Sequence, residues 1–163
     1  MLPIRLQRLL FVMTVLVALT GCASGERAFT SAEKKNLHIA TSLEPNSFGS
    51  VRATFLYVYE MDTRCKPNYL GYVRLEQPTI ELGLPTGKLL VLTAEFMTRG
   101  RFSESEVRNA YEYLIQPQPG QEYFADIRHQ NNLYKFSLTE SRNGGAKRNV
   151  DRKGGEACIS QGS

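Results

Sequence analysis

The sequence is poor in the residues that most often carry out chemistry. Its 163 residues include no tryptophan, two histidines and three cysteines. The histidines, His38 and His129, stand in no paired-histidine or histidine–cysteine spacing, so the sequence predicts no metal site and no cofactor. A triad of His129, Asp126 and Ser137 is disfavoured, because Asp126 and His129 lie three residues apart on one predicted strand and point to opposite faces. We therefore expect a protein that is not an enzyme.

Other catalytic patterns are missing as well. No two carboxylates are spaced in a way that predicts a raised pKa and acid–base catalysis. Glu95 interrupts an apolar run, and we expect it to face solvent at a strand end, with a buried and paired acid as the alternative. The glycine pairs Gly144-Gly145 and Gly154-Gly155 lack the preceding strand and following helix of a phosphate-binding loop. His129 is expected to be a surface residue at a strand end.

The longest apolar run is too short to cross a membrane. Residues 9–19 hold ten apolar side chains and one threonine, whereas a spanning helix needs about 20 apolar residues. Arg5 and Arg8 precede the run, and Thr20 and Gly21 follow it. A basic head, a short apolar run and then small residues are typical of a signal peptide, which we assign to residues 1–21.

The end of this segment, Leu19-Thr20-Gly21-Cys22, resembles the lipobox of bacterial lipoproteins. The resemblance implies that the Cys22 thiol receives a diacylglycerol, that the chain is cut before Cys22, and that an acyl chain such as palmitate joins the new amine. Two or more acyl chains give stable anchoring. Ala23 stands where an aspartate favours the inner membrane, which implies the periplasmic side of the outer membrane in a Gram-negative host. A plain secretory signal and an uncleaved anchor are the alternatives.

Lipidation at Cys22 changes both the charge and the cysteine count. The full chain carries a net charge of +4, and without Arg5 and Arg8 it carries +2, which does not predict nucleic-acid binding. Cys65 and Cys158 then remain, and in the oxidising periplasm we expect them to form a disulfide bond. The bond would close a loop of about 93 residues and stabilise the fold by roughly 4–5 kcal/mol. Two free buried thiols are the alternative.

From residue 51 onward, strand patterns alternate with turns. Strands are predicted at residues 51–60, 69–76, 79–84, 89–97, 110–116, 121–129 and 133–140. The last two alternate cleanly and are expected to pair as a hairpin. In the first strand the odd positions, which include Tyr57 and Tyr59, are expected to form the apolar face. Tyrosines at this spacing are more often core residues, with exposed rings that stack on sugars as the alternative.

About seven strands with turns every 8–12 residues predict an all-β fold, a single antiparallel β-sandwich. Tyr111 and Tyr113 are expected to lie in its core. The segment 99–109 is predicted to be a loop or a short helix, in which Ser103 and Glu106 fit a capping box. The expected organisation is a signal peptide at 1–21, a lipid anchor and tether with a possible edge strand at 22–50, the sandwich at 51–140, and a polar tail held by Cys158 at 141–163.

Four basic residues of the tail are candidates for contact with anionic groups of the envelope: Lys147, Arg148, Arg152 and Lys153. A solvated tail is the alternative. Three stretches also resemble small bacterial lipoproteins with a transthyretin-like or immunoglobulin-like sandwich: FLYVYEMDTRC (55–65), LGLPTGKLLVLTAEF (82–96) and IQPQPGQEYFADIRHQNNLYKFSLTE (115–140). The resemblance implies a fold and a location, and it carries no catalytic residue across.

The expected function is that of a non-catalytic lipoprotein of the cell envelope. Its membrane-tethered sandwich would bind or scaffold a periplasmic protein or cell-wall partner, with no nucleic acid involved. One alternative is an accessory lipoprotein of a secretion machine, because a transthyretin-like lipoprotein serves in type VI secretion. Another is an inhibitor of an envelope-attacking enzyme such as lysozyme, with residues 99–109 as the loop that plugs the active site.

Overall fold

The computed structural model describes residues 27–102, 106–130 and 133–151. The regular structure in these ranges consists of nine strands: β1 (Leu37–Leu43), β2 (Ser50–Met61), β3 (Pro67–Arg74), β4 (Thr79–Leu82), β5 (Leu90–Gly100), β6 (Glu106–Ile115), β7 (Gln121–Gln130), β8 (Leu133–Arg142) and β9 (Arg148–Asn149). In the same ranges there is no helix that is long and apolar enough to cross a membrane.

The strands form two sheets, which confirms the predicted all-β sandwich. One sheet has the order β4-β1-β7-β8-β9 and the other has the order β3-β2-β5-β6. Neighbouring strands are antiparallel except for β1 and β7, which pair in parallel from Leu37↔Tyr123 to Leu43↔His129. The predicted hairpin of β7 and β8 is confirmed, with a register that runs from Gln121↔Arg142 to Gln130↔Leu133.

The core lies between the sheets and is filled by alternate residues of the long strands. Tyr113 of β6 meets Phe136 of β8 edge-on at a centroid distance of 4.8 Å, and its hydroxyl donates to the Phe136 carbonyl oxygen at 3.3 Å. Tyr113 is therefore a core residue as predicted, and Tyr111 packs against the same cluster. Burial of each large apolar side chain contributes about 1.5–3 kcal/mol, and the fully buried ones include Leu37, Ile39, Leu56, Val58, Leu90, Leu92, Phe96, Ile127, Phe136 and Leu138.

The sandwich begins well before residue 51. β1 lies between β4 and β7 inside the five-stranded sheet, so residues assigned to the tether belong to the folded domain, and the expected edge strand is an interior one. Just before β1, the buried Asn36 donates from Nδ2 to the Leu84 carbonyl oxygen (3.0 Å) and accepts from the Leu84 N–H (2.6 Å). This two-way contact matches a backbone pair and fixes the start of β1.

β2 is central, as its composition predicted, but its faces are the reverse of the prediction. Leu56 and Val58 point into the core and are fully buried, whereas Tyr57 and Tyr59 lie on the outer surface of the four-stranded sheet. Both faces of this strand are apolar, so its period of two does not say which face is buried. The neighbouring strand β5 settles it, because Leu92 and Ala94, which pair with Val58 and Leu56, face inward.

A short N-terminal segment completes the four-stranded sheet. Ala28 pairs in parallel with Tyr72 of β3, with the Phe29 N–H bonded to the Tyr72 carbonyl (2.8 Å) and the Tyr72 N–H bonded to the Arg27 carbonyl (2.9 Å). Gly71 allows this approach, since a Cβ there would lie 2.6 Å from the Phe29 Cα. The Phe29 side chain is thereby placed in the core.

Two further segments differ from prediction. The described part of 99–109 contains no helix: Arg99 and Gly100 end β5, and β6 begins at Glu106. Ser103, the predicted cap, lies outside the described residues. The start of the tail is ordered by pairing, since β9 adds to the edge of β8 and the Val150 N–H donates to the Leu138 carbonyl oxygen at 3.0 Å.

Candidate functional site

A polar cleft opens at the end of the sandwich where β1 and β7 stop and β2 begins. It has a volume of about 510 Å³. We call it the end cleft, and it is lined by residues 41–46, 52–54 and 74–76 together with Pro78 and His129. The chain brings these residues together because the β1–β2 connection and the β3–β4 connection reach the same end of the two sheets.

Arg52 is held over the end cleft by the β1–β2 connection. Its backbone N–H donates to Asn46 Oδ1 (2.6 Å), Nη1 donates to the Pro45 carbonyl oxygen (2.9 Å), and Nη1 lies 3.4 Å from Glu44 Oε2. In the described part of the chain, its buried Nε has no hydrogen-bond partner. A guanidinium N–H always carries its proton, so this donor costs free energy until an acceptor reaches it.

His129 lies on the floor of the end cleft and is only 3% exposed. Its ring stacks on Tyr134 at a centroid distance of 4.4 Å and meets the edge of Phe96 at 6.4 Å. Burial lowers the pKa of His129, Glu44 partly offsets this effect, and Arg52 lowers the pKa further. The imidazole is therefore neutral at pH 7. Its Nε2 atom has no hydrogen-bond partner among the described residues.

The prediction that His129 is a surface residue is wrong. It occupies the next inward position of β7 after Ile127, and the parallel strand β1 covers it. Asp126 points to the outer face, where Arg128 Nε donates to it at 2.8 Å and Lys135 Nζ lies at 3.4 Å. Ser137 pairs with Asp126 across β7 and β8. His129, Asp126 and Ser137 therefore form no triad, as the sequence indicated.

Two phenylalanines form an exposed tip at the same end of the molecule. Phe48 is 82% exposed and Phe102 is 75% exposed, and their ring centroids lie 5.7 Å apart. The Arg101 N–H donates to the Gly49 carbonyl oxygen at 2.9 Å, which ties the two loops together. We call this pair the aromatic tip. The sequence analysis missed it, because the contact joins loops that are more than 50 residues apart.

Aromatic rings also cover part of the outer surface of the four-stranded sheet. They come from β2 and β3 and lie 5.5–6.5 Å from their neighbours: Phe55, Tyr57, Tyr59, Tyr69 and Tyr72. This tyrosine face is half-buried by contacts among the rings themselves. The expectation that Tyr57 and Tyr59 are core residues is therefore wrong.

Acidic side chains border the tyrosine face. Burial, followed by the charges of Glu95 and Glu112, raises the pKa of the Tyr59 hydroxyl. Glu95 lies in the middle of β5, is 19% exposed and pairs with Arg108 Nη1 at 3.0 Å. The prediction that Glu95 faces solvent at a strand end is wrong, and the alternative of a covered and paired acid describes it better.

The basic cluster of the tail is only partly described. Lys147 Nζ lies 3.4 Å from the centroid of the Phe124 ring, and Arg148 Nε lies 2.6 Å from Glu140 Oε1. Both contacts fix these side chains on the five-stranded sheet, and a cation over an aromatic face adds about 0.5–1 kcal/mol at an exposed site. Arg152 and Lys153 lie outside the described residues, so anion contact by the four residues remains a prediction.

Of the three cysteines, only Cys65 lies in the described ranges. It has a φ of 60° and sits in the turn after β2, where its N–H donates to the Asp62 carbonyl oxygen at 3.0 Å. Cys22 and Cys158 fall outside, so lipidation and the Cys65–Cys158 bond remain predictions. The described residues contain no group of three His, Cys, Asp or Glu side chains placed to hold a metal ion.

Comparison of the chain with protein-family models and with curated proteins finds no match. The chemistry of its own surfaces must therefore indicate the function. Two of them stand at the same end of the sandwich: the end cleft, with two unpartnered buried nitrogen atoms, and the aromatic tip, with two exposed rings.

Proposed function

We propose that the protein is a non-catalytic lipoprotein of the bacterial cell envelope. Its acylated Cys22 holds it on the periplasmic side of the outer membrane, and its sandwich binds a periplasmic protein through the aromatic tip. The observation that carries the proposal is the exposed contact between Phe48 and Phe102. Large aromatic anchors at the centre of an interface supply much of its binding energy.

The tip has the composition of a docking surface. Arg99 and Arg101 are exposed beside the two rings, so the tip combines an apolar centre with positive charge at its rim. Burial of a phenylalanine contributes about 1.5–3 kcal/mol, and rim charges mainly set the association rate and partner choice. The partner that fits is a protein with an apolar pocket bordered by acidic side chains.

The direction of the N-terminal segment supports an outward-facing tip. Ala28 pairs in parallel with Tyr72, so the segment runs along β3 from its Pro67 end. Arg27 is five residues after Cys22, and five extended residues reach about 17 Å. A lipid on Cys22 would thus keep the Pro67 end of β3 near the membrane.

The aromatic tip lies at the other end of the molecule. The Pro67 end of β3 is paired with Met61, the last residue of β2, whereas Phe48 lies two residues before the first residue of β2. β2 has 12 residues, and an extended strand of that length spans about 36 Å. The tip of an anchored protein would therefore face the periplasm, where a soluble or wall-bound partner can reach it.

The proposal includes the Cys65–Cys158 disulfide bond. Such a bond would attach the tail beside the turn that follows β2, at the end of the sandwich that the anchor keeps near the membrane. Non-reducing mass spectrometry of the mature protein is expected to find the two cysteines in one cross-linked peptide pair. A free thiol at Cys65 would remove the disulfide from the proposal and leave the docking surface unaffected.

Cross-linking in living cells tests the docking surface. A photoreactive amino acid replaces Phe48 or Phe102, and the matched control replaces Leu133, which is 74% exposed on the other sheet. We expect the same protein adduct from both tip positions and none from position 133. Identical adducts from all three positions, or none from the tip, would contradict docking by the aromatic tip.

An enzyme inhibitor is the second candidate, because Phe102 lies in the loop that the sequence analysis assigned to a plug. Its side chain is 75% exposed, as a side chain that enters an active site must be. If the protein inhibits lysozyme, purified protein will protect cell walls from lysis and Phe102→Ser will lose that protection. Equal lysis with and without the protein would leave the adaptor role alone.

A further inference from the structure

We propose that the end cleft binds a carboxylate group, with Arg52 Nε and His129 Nε2 as its hydrogen-bond donors. The proposal concerns a different surface from the aromatic tip, and it depends neither on lipidation nor on a protein partner. Both nitrogen atoms line the same cleft, are buried, and have no partner in the described part of the chain.

Arg52 supplies the donor whose identity is certain. Nη1 is already used by the Pro45 carbonyl oxygen and faces Glu44 at 3.4 Å, while Nε has no acceptor. Because the guanidinium stays charged at every physiological pH, Nε–H can only donate. The missing partner must therefore be a hydrogen-bond acceptor, and an anionic acceptor gives a bond about twice as strong as a neutral one.

His129 supplies the second donor. Its ring is fixed between Tyr134 and Phe96, so Nε2 keeps one direction and costs little entropy to use. Neutral imidazole with its proton on Nε2 donates one hydrogen bond. A carboxylate has two oxygen atoms, and the cleft then offers one donor to each of them. Such a pair of fixed donors selects a planar two-oxygen group.

The charges around the cleft favour a single negative charge over a double one. Arg74 Nε already pairs with Glu76 Oε1 at 2.8 Å, and Glu44 lies near Arg52. The two arginines and two glutamates of the lining cancel, so a phosphate dianion would meet two carboxylates with no spare cation. A monoanionic carboxylate needs only the one open donor of Arg52 and the neutral donor of His129.

The shape of the cleft limits the size of the ligand. A volume of about 510 Å³ exceeds that of acetate and suits a group of one or two amino-acid residues. Leu43, Ala53, Leu75 and Pro78 add apolar wall. Two sources supply a carboxylate of this kind, a free small acid or the C-terminal end of a peptide, and both use the same two donors.

Nuclear magnetic resonance on the full-length protein in detergent micelles tests the proposal, because the chain has only two histidines. With histidine isotopically labelled, His129 reports on the cleft and His38, on the outer face, is the internal control. We expect sodium acetate to shift the His129 signals until they saturate, and sodium chloride at equal ionic strength to leave them unchanged. Equal shifts in both salts, or no shift in acetate, would overturn the proposal.

Peptides separate the two sources. Alanyl-alanine with a free C-terminus is compared with its C-terminal amide at constant pH. Tighter saturation by the free dipeptide than by acetate identifies a peptide end as the ligand, and equal affinities identify a free small acid. Both results support a carboxylate site. Binding of the amide as tightly as the free acid would overturn it, because the negative charge would then contribute nothing.

Variants assign the donors. Arg52→Gln removes the charged donor and is expected to weaken carboxylate binding at least tenfold, in line with the usual cost of one charge-assisted hydrogen bond. Arg74→Gln is the matched control, since this arginine lines the same cleft but is paired with Glu76, and we expect a change of less than threefold. Unchanged binding in a folded Arg52→Gln protein would overturn the assignment. Loss of folding by this variant would leave the decision to the wild-type titrations.

Discussion

Buried polar atoms without partners are rare, and the end cleft has two of them. Leaving one buried donor without an acceptor costs about 1–3 kcal/mol. At Arg52 and His129 this cost falls on side chains that are otherwise well fixed, by the β1–β2 connection and by two aromatic rings. The molecule thus keeps two donors in place at a cost to its own stability, which is the arrangement expected of a preorganised binding site.

The titration of His129 gives a prediction at the same scale. Its pKa in the folded protein lies below the value of about 6.5 in an unfolded chain, so below that pH the unfolded state binds more protons than the folded state. We expect the free energy of unfolding to fall as the pH falls from 7.5 to 5.5, and the fall to be smaller in His129→Phe. Urea unfolding at several pH values, in buffers without carboxylates, measures it.

The exposed histidine supplies the control for that prediction. His38→Gln alters a residue on the outer face, where its ring stacks on Phe124. We expect this variant to retain the full pH dependence of the wild type. A His129→Phe protein whose stability falls with pH as steeply as that of the wild type would show that another group is responsible.

At the scale of single strands, the sequence identified elements better than it identified faces and neighbours. β7 and β8 were placed correctly because Tyr123, Ala125 and Ile127 alternate with charged residues, so only one face can be buried. β2 is apolar on both faces, and its outer rings are covered by one another. β1 looks like an edge strand by composition, and its central place depends on parallel pairing with β7, more than 80 residues away.

Gly71 provides a prediction for the element that joins the anchor to the sandwich. A Cβ at this position would lie 2.6 Å from Phe29 Cα and 2.7 Å from Phe29 N, and backbone atoms cannot yield as a side chain can. We expect Gly71→Ala to displace residues 27–29 from β3 and to expose Phe29, lowering the free energy of unfolding by about 2 kcal/mol or more. Faster hydrogen exchange at the Phe29 and Tyr72 amides would report the displacement.

A second glycine serves as the control for this experiment. Gly49 has no atom within 4 Å of its would-be Cβ, so Gly49→Ala should leave both amides protected. Unchanged exchange in Gly71→Ala would mean that β3 and the N-terminal segment separate easily. The segment would then not hold one end of the sandwich near the membrane.

At the scale of the whole molecule, the two ends of the sandwich differ in character. One end carries the Met61–Pro67 turn and is the side from which residues 27–29 arrive along β3. The other end carries the end cleft and the aromatic tip. Neither surface was predicted, because Arg52 and His129 are 77 residues apart in the sequence, as distant as the loops of the tip, and only the topology brings each pair together.

The separation of the two ends leads to a prediction for the anchored protein. Because the chain contains no tryptophan, a single substitution places a unique fluorophore, either Tyr69→Trp near the anchored end or Phe102→Trp at the tip. In vesicles with brominated lipids, which quench over about 10 Å and so within a fraction of the roughly 36 Å length of β2, we expect strong quenching at position 69 and little at position 102. Stronger quenching of Phe102→Trp would mean that the tip enters the same membrane. With Cys22→Ser in either background we expect no lipid labelling and no quenching, because the chain would then have no acyl chain to hold it at the bilayer.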